Sequence, residues 1–157
     1  MAIEELITAF NEQTGIDDMA VSEGVWKYAA DDMEFGVAAD EGGERVFLFG
    51  EIPASYVENE ASFRKTVLEA NYLFNGTGGG TLSINPKNGA YTLVFAEWLD
   101  RLDNTSFFAL VERFVNTLST WKTIAEGAAS APSPASADDA SHSEEIEASY
   151  NANFMRV

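Results

Sequence analysis

Apolar residues near the start fall at Ile3, Leu6, Ile7 and Phe10. This i, i+3, i+4, i+7 spacing puts them on one helical face, with Glu4, Glu5, Asn11 and Glu12 away from it. Gly15 is a natural stop. A helix this short persists only when docked, and spacing alone leaves open whether its stripe is core or a binding face. After an acidic loop at Asp17-Asp18, the period changes to two. Trp26, Tyr28 and Ala30 alternate, then Met33, Phe35, Val37 and Ala39, with turns at Asp31-Asp32 and Asp40-Glu41-Gly42-Gly43. The third run, Arg45 to Ile52, is apolar at almost every position, which predicts a strand covered on both faces. Three such runs with tight connections predict an antiparallel meander.

Past Pro53 the helical period returns. A second helix is expected from about Asn59 to Phe74, with Phe63, Val67, Ala70 and Phe74 on one stripe and Leu68, Tyr72 and Leu73 widening it. That apolar coverage exceeds what one buried face requires, which suggests a second contact surface. Gly76 to Gly80 break the chain. Leu82 and Ile84 then alternate on one side of a turn at Asn85-Pro86-Lys87-Asn88-Gly89, with Tyr91, Leu93 and Phe95 on the other, predicting a hairpin. Asp103-Asn104 offers a cap for a last helix whose stripe runs Phe107, Val111, Phe114, Leu118, Trp121, Ala125. The order is helix, three strands, helix, two strands, helix. It predicts an α+β domain over residues 1–126 built on one twisted antiparallel sheet packed with helices. Residues 127–157 are small, polar and acidic and read as a disordered tail, until an apolar terminus from Tyr150 to Val157.

Composition narrows the function more than the fold. The net charge is −17 and there is no cysteine. Such a field repels nucleic acid and anionic lipid, and it attracts a basic partner. Without cysteine, disulfides, zinc–thiolate sites and cysteine nucleophiles are excluded. The start, MAIEELITAF, has no Lys or Arg and does not read as a signal peptide. No apolar run approaches the roughly 20 residues of a membrane helix, so no membrane insertion is expected. The only histidine, His142, lies in the tail, which leaves Ser-His-Asp chemistry and histidine metal sites without a partner in the domain. The glycines at Gly76, Gly78, Gly79 and Gly80 follow a helix and precede no Gly-Lys-Ser/Thr, unlike a phosphate loop. Paired carboxylates such as Asp31-Asp32 lack the spacing of a calcium loop and read as solvated turns. No metal or cofactor is expected.

One stretch also resembles a known family. Leu68, Ala70-Asn71 and Leu73, then Gly80-Thr81-Leu82-Ser83-Ile84 and Gly89-Ala90-Tyr91-Thr92-Leu93, are similar to the class I type III secretion chaperones, the Tir chaperone (CesT-like) family. Leu102-Asp103, Leu110, Phe114-Val115 and Trp121 continue the resemblance, which covers about residues 1–125. It implies a bacterial cytoplasmic homodimer without enzymatic activity. Such a protein holds the N-terminal segment of a secreted effector in extended form, laying apolar side chains into surface patches and adding strands to sheet edges. It implies effector contacts among Ile3, Leu6, Ile7, Phe10, Trp26, Tyr28 and Phe35, and a dimer interface including Leu68, Tyr72 and Leu82. Two other readings stay open. One is a bacterial regulatory interaction domain on the same fold. The other is a carboxylate-dependent enzyme, which needs a deep pocket with two converging carboxylates.

Overall fold

The computed structural model describes residues 2–16 and 20–127. Helix α1 (Ile3–Thr14) is followed by strands β1 (Ala20–Ser22), β2 (Val25–Ala30), β3 (Met33–Ala39) and β4 (Arg45–Ile52). Helix α2 (Glu60–Asn71), strands β5 (Thr81–Ile84) and β6 (Tyr91–Trp98), and helix α3 (Asn104–Ala125) complete the domain. The six strands form one antiparallel sheet in the order β1-β2-β3-β4-β6-β5. The expected α+β class and element order are those of the structure, with β1 added. The expected tail lies outside the described residues, apart from Gly127.

All three helices pack on the same face of the sheet. That face presents Tyr28, Phe35, Val37, Val46, Leu48, Ile52, Leu93 and Phe95, all buried. Every residue of the expected α3 stripe, from Phe107 to Ala125, is buried against it. Each of the large ones contributes about 1.5–3 kcal/mol before entropy costs. Gly50 is required where α3 crosses β4: a Cβ there would lie 2.5 Å from a Leu118 methyl. The Asp103 carboxylate starts α3, accepting from the Ser106 N–H at 2.8 Å while the Asp103 N–H donates to Ser106 Oγ. The bonds the carboxylate accepts from the Ser106 N–H and the Ser106 hydroxyl hold it below its ordinary pKa.

Two local expectations change. Helix α2 stops at Asn71, and Tyr72–Phe74 form a 3-10 turn in which Leu73 and Phe74 take φ of 52° and 58°. Phe74, expected on the buried stripe, is therefore exposed. Strand β4 is buried on one face only: Val46, Leu48, Gly50 and Ile52 point to the core, whereas Arg45, Phe47 and Phe49 are half-buried on the other. The continuous apolar run of β4 thus serves a face that no helix covers among the described residues.

Candidate partner-binding surface

The residues expected at an effector surface lie mostly in the core. Ile3, Leu6, Ile7 and Phe10 are buried where α1 packs on the sheet and α3. Phe10 meets Tyr28 and Phe107 edge-on, at 5.6 and 5.9 Å between centroids. Tyr28 stacks on Phe35 at 5.3 Å, and Phe35 contacts Phe114 at 5.6 Å. Burial pushes the Tyr28 pKa up to about 12, with a smaller opposing effect from the hydrogen bond its hydroxyl donates to Asn11 Oδ1. The physical reason is simple: a stripe at helical spacing opposite an aromatic strand face closes on it. Of the seven, Trp26 alone keeps an accessible flank. It is half-buried at the margin of the core, paired with the exposed Val21 of β1.

Among the described residues, a different surface is left uncovered. Val25, Ala38, Phe47, Phe49, Val94 and Trp98 alternate with core residues and so point to the uncovered face of the sheet. They line up across strands through the pairs Val25↔Ala38, Ala38↔Phe47 and Phe49↔Val94. The Phe49 ring lies across Gly36, where a Cβ would come within 2.6 Å of it. The Arg45 guanidinium stands over the rings of Phe47 and Trp98, at 5.1 and 5.3 Å. The result is an aromatic band with the Arg45 guanidinium over two of its rings, on a strongly acidic protein. The alternate positions of the Arg45–Ile52 run were the sequence signal for it. Periodicity could not say on which side of the sheet the helices would fall.

A second apolar patch surrounds the joint between α2 and β5. Leu68 is 72% exposed and Tyr72 57%, with Leu73, Phe74 and Ile84 exposed beside them. Leu82, expected in the same interface, is instead buried under α2. Arg64 and Lys65 pair with Glu60 and Glu69 one turn away along the exposed side of α2.

A cleft of about 460 Å³ separates the 75–78 loop from α3, lined by Asn75, Gly76, Glu112, Arg113, Asn116 and Thr117 among others. It brings in one carboxylate, Glu112, and not the converging pair that acid–base chemistry between carboxylates needs. No helix among the described residues is long and apolar enough to cross a membrane.

Known proteins resemble the chain in sequence pattern and fold. The model of the Tir chaperone protein (CesT) family matches residues 5–122. No curated protein matches the sequence. Among solved structures, a chain of the ExsC–ExsE complex is 14% identical with a TM-score of 0.67, over 78% of this chain and 92% of that one. A chain of the HopA1–SchA chaperone–effector complex is 16% identical with a TM-score of 0.61, over 80% and 93%. A chain of the ExoU–SpcU heterodimer from the type III secretion system of Pseudomonas aeruginosa is 13% identical with a TM-score of 0.56, over 77% and 94%. At these identities the structures establish a shared fold. The family match runs from α1 through most of α3, and the chain belongs to the Tir chaperone protein (CesT) family.

Proposed function

We propose that this protein is a type III secretion chaperone of the bacterial cytoplasm. It binds the N-terminal segment of a secreted effector in extended form and keeps it competent for export. Its action is binding, not catalysis. The observation that carries this reading is the family match over residues 5–122. The structure supports it with a fitting surface: a sheet face that no helix covers among the described residues, with an apolar band of Phe47, Phe49, Val94 and Trp98, while Val21 and Trp26 stand on the opposite face at the β1 margin. An extended segment can place alternate apolar side chains on such a band, and its backbone can pair with a sheet edge. The −17 charge steers a basic segment toward it. Trp26 stays in the binding surface. Ile3, Leu6, Ile7, Phe10, Tyr28 and Phe35 act from beneath by fixing the sheet.

The proposed working form is a homodimer through Leu68 and Tyr72, with Leu82 holding β5 in place below them. The α2–β5 patch supports this because an exposed Leu, Tyr, Leu and Phe in sequence is costly in water for an isolated chain. The experiment is recovery of the tagged protein from its own bacterium, with identification of the bound peptides. The expected cargo is the N-terminal segment of a secreted protein, encoded beside the chaperone. Phe47→Asp is expected to lose that cargo and keep its melting temperature. Recovery of a folded regulator in place of a secreted protein would favour the regulatory reading and sink this one.

A further inference from the structure

The uncovered face of the sheet carries few charges, and they are sorted. Among the described strand residues on that face, Lys27 and Arg45 are the cations and Glu34 and Glu51 the carboxylates, by the same alternation that puts Val25, Ala38 and Phe47 there. Both carboxylates stand at the end away from Arg45. Glu51 lies six residues along β4 from it, about 20 Å at the rise of a strand. Glu34 stands one position beyond the Phe35↔Gly50 pair, beside Glu51. The Glu51 oxygens are also engaged, accepting from the Asn85 and Asn88 amides at 2.6 and 2.9 Å. With a screening length of about 8 Å at physiological salt, neither carboxylate neutralises Arg45.

Arg45 itself is left without an acceptor among the described residues. It is half-buried, and its Nε is buried with no hydrogen-bond partner. The ion pairs among those residues are Arg64–Glu60, Lys65–Glu69 and Lys122–Asp32, and Arg45 is in none of them. Two carboxylates close to it in the chain or the ladder are committed to backbone. Asp40 Oδ1 accepts from the Glu44 and Arg45 N–H groups at 2.8 and 3.2 Å, and Glu97 Oε1 accepts from the Trp98 N–H at 2.9 Å. The rings of Phe47 and Trp98 attract the guanidinium charge but offer no pair of oxygen acceptors to its N–H groups. A planar fork of donors held over two rings is matched by a carboxylate, which takes two N–H bonds at once.

We propose that Arg45 is a specificity-determining residue: it receives the carboxylate of an Asp or Glu in the captured segment, whose apolar side chains lie on Phe47, Phe49 and Val94. This rests on the proposed function and deepens it by stating the chemistry of one position of the segment. The −17 charge acts on the segment as a whole and favours a basic one, whereas Arg45 acts at a single position within it. In an extended segment alternate side chains face the sheet, so the acid is followed or preceded by apolar residues two and four positions away.

The test uses the full chain and two blocked peptides, acetyl-Thr-Glu-Thr-Leu-Thr-Leu-Lys-Lys-amide and the same peptide with Gln in place of Glu. Calorimetry gives the affinities, and the Arg45 Nε–H resonance of isotope-labelled protein reports contact. The wild-type protein is expected to bind the Glu peptide about tenfold more tightly than the Gln peptide, the difference between a charge-assisted and a neutral hydrogen bond. The resonance is expected to move further with the Glu peptide. Arg45→Gln is expected to bind both peptides alike, and Arg45→Lys to keep part of the preference, because an ammonium lacks the fork. Equal binding of the two peptides by wild type overturns the proposal, as does a preference that survives in folded Arg45→Gln, or no binding of either peptide at millimolar concentration. If Arg45→Gln does not fold, the wild-type resonance decides, and an equal response to both peptides overturns the proposal. A resonance that moves on dilution of the protein and with neither peptide places a second copy on the band and overturns it too. Each of these results leaves the secretion reading standing, because that reading is judged by the recovered cargo. Recovery of a folded regulator removes the secretion reading and leaves the discrimination at Arg45 intact.

Discussion

Trp121 has no exposed surface, and its indole N–H donates to the Gly76 carbonyl at 2.8 Å. That bond ties α3 to the loop between α2 and β5. Trp121→Phe keeps most of the volume and leaves a buried carbonyl without its donor, so a loss of about 1–3 kcal/mol is expected in urea denaturation. Tyr28 gives a pH signature. Its unfolded pKa is near 10.0 and its folded value about 12. Between these values the unfolded chain has lost a proton that the folded chain retains, so unfolding is favoured as pH rises. Stability is expected to hold steady below pH 10 and fall through the window up to about 12. In Tyr28→Phe that part of the alkaline decline should be missing. If the two melting curves fall in parallel, the Tyr28 hydroxyl does not titrate as its buried setting dictates. Neither contact could be read from sequence. Trp121 was legible as core from its place in the stripe, but its indole partner lies 45 positions away.

At the scale of elements, legibility followed length and period. The six stripe residues of α3 are all buried because a long helix leaves one way to place a stripe. Strand β1 has three exposed residues, too few for any period to register. The end of α2 was misplaced for a different reason. Tyr72, Leu73 and Phe74 continue the apolar period, yet Leu73 and Phe74 turn to positive φ, which costs of order 1–3 kcal/mol each for such residues. The surrounding bonds hold them there: the Gly76 N–H donates to the Ala70 carbonyl and the Asn75 N–H to that of Tyr72. Strain that displays apolar side chains outward fits an interface. Leu68→Glu combined with Tyr72→Glu is therefore expected to halve the mass seen in light scattering and to leave the circular dichroism of the fold unchanged. A folded protein of unaltered mass would remove both residues from the interface.

The whole molecule was legible in its class and element order, and not in its sidedness. The spacing of α1 left open whether its stripe is core or a binding face, and the effector contacts that the resemblance implied at Ile3, Leu6, Ile7 and Phe10 fall on residues that are buried. The end of α3 is bonded within the described residues. The Glu126 and Gly127 N–H groups donate back to the Lys122 and Ile124 carbonyls, and the Glu58 N–H donates to that of Ala125. The last turn is thus closed before residue 128. A chain ending at Gly127 is expected to melt at the temperature of the full chain. A large drop in a thermal scan would place the remaining residues in the fold.

Strand β4 divides its residues by parity. Val46, Leu48, Gly50 and Ile52 answer to α3 and the core, whereas Arg45, Phe47, Phe49 and Glu51 answer to none of the three helices. Two selective pressures therefore act on one strand without colliding. The odd positions can drift to suit a new client while the even ones stay fixed, so a lineage can change what it carries without reinventing how it folds.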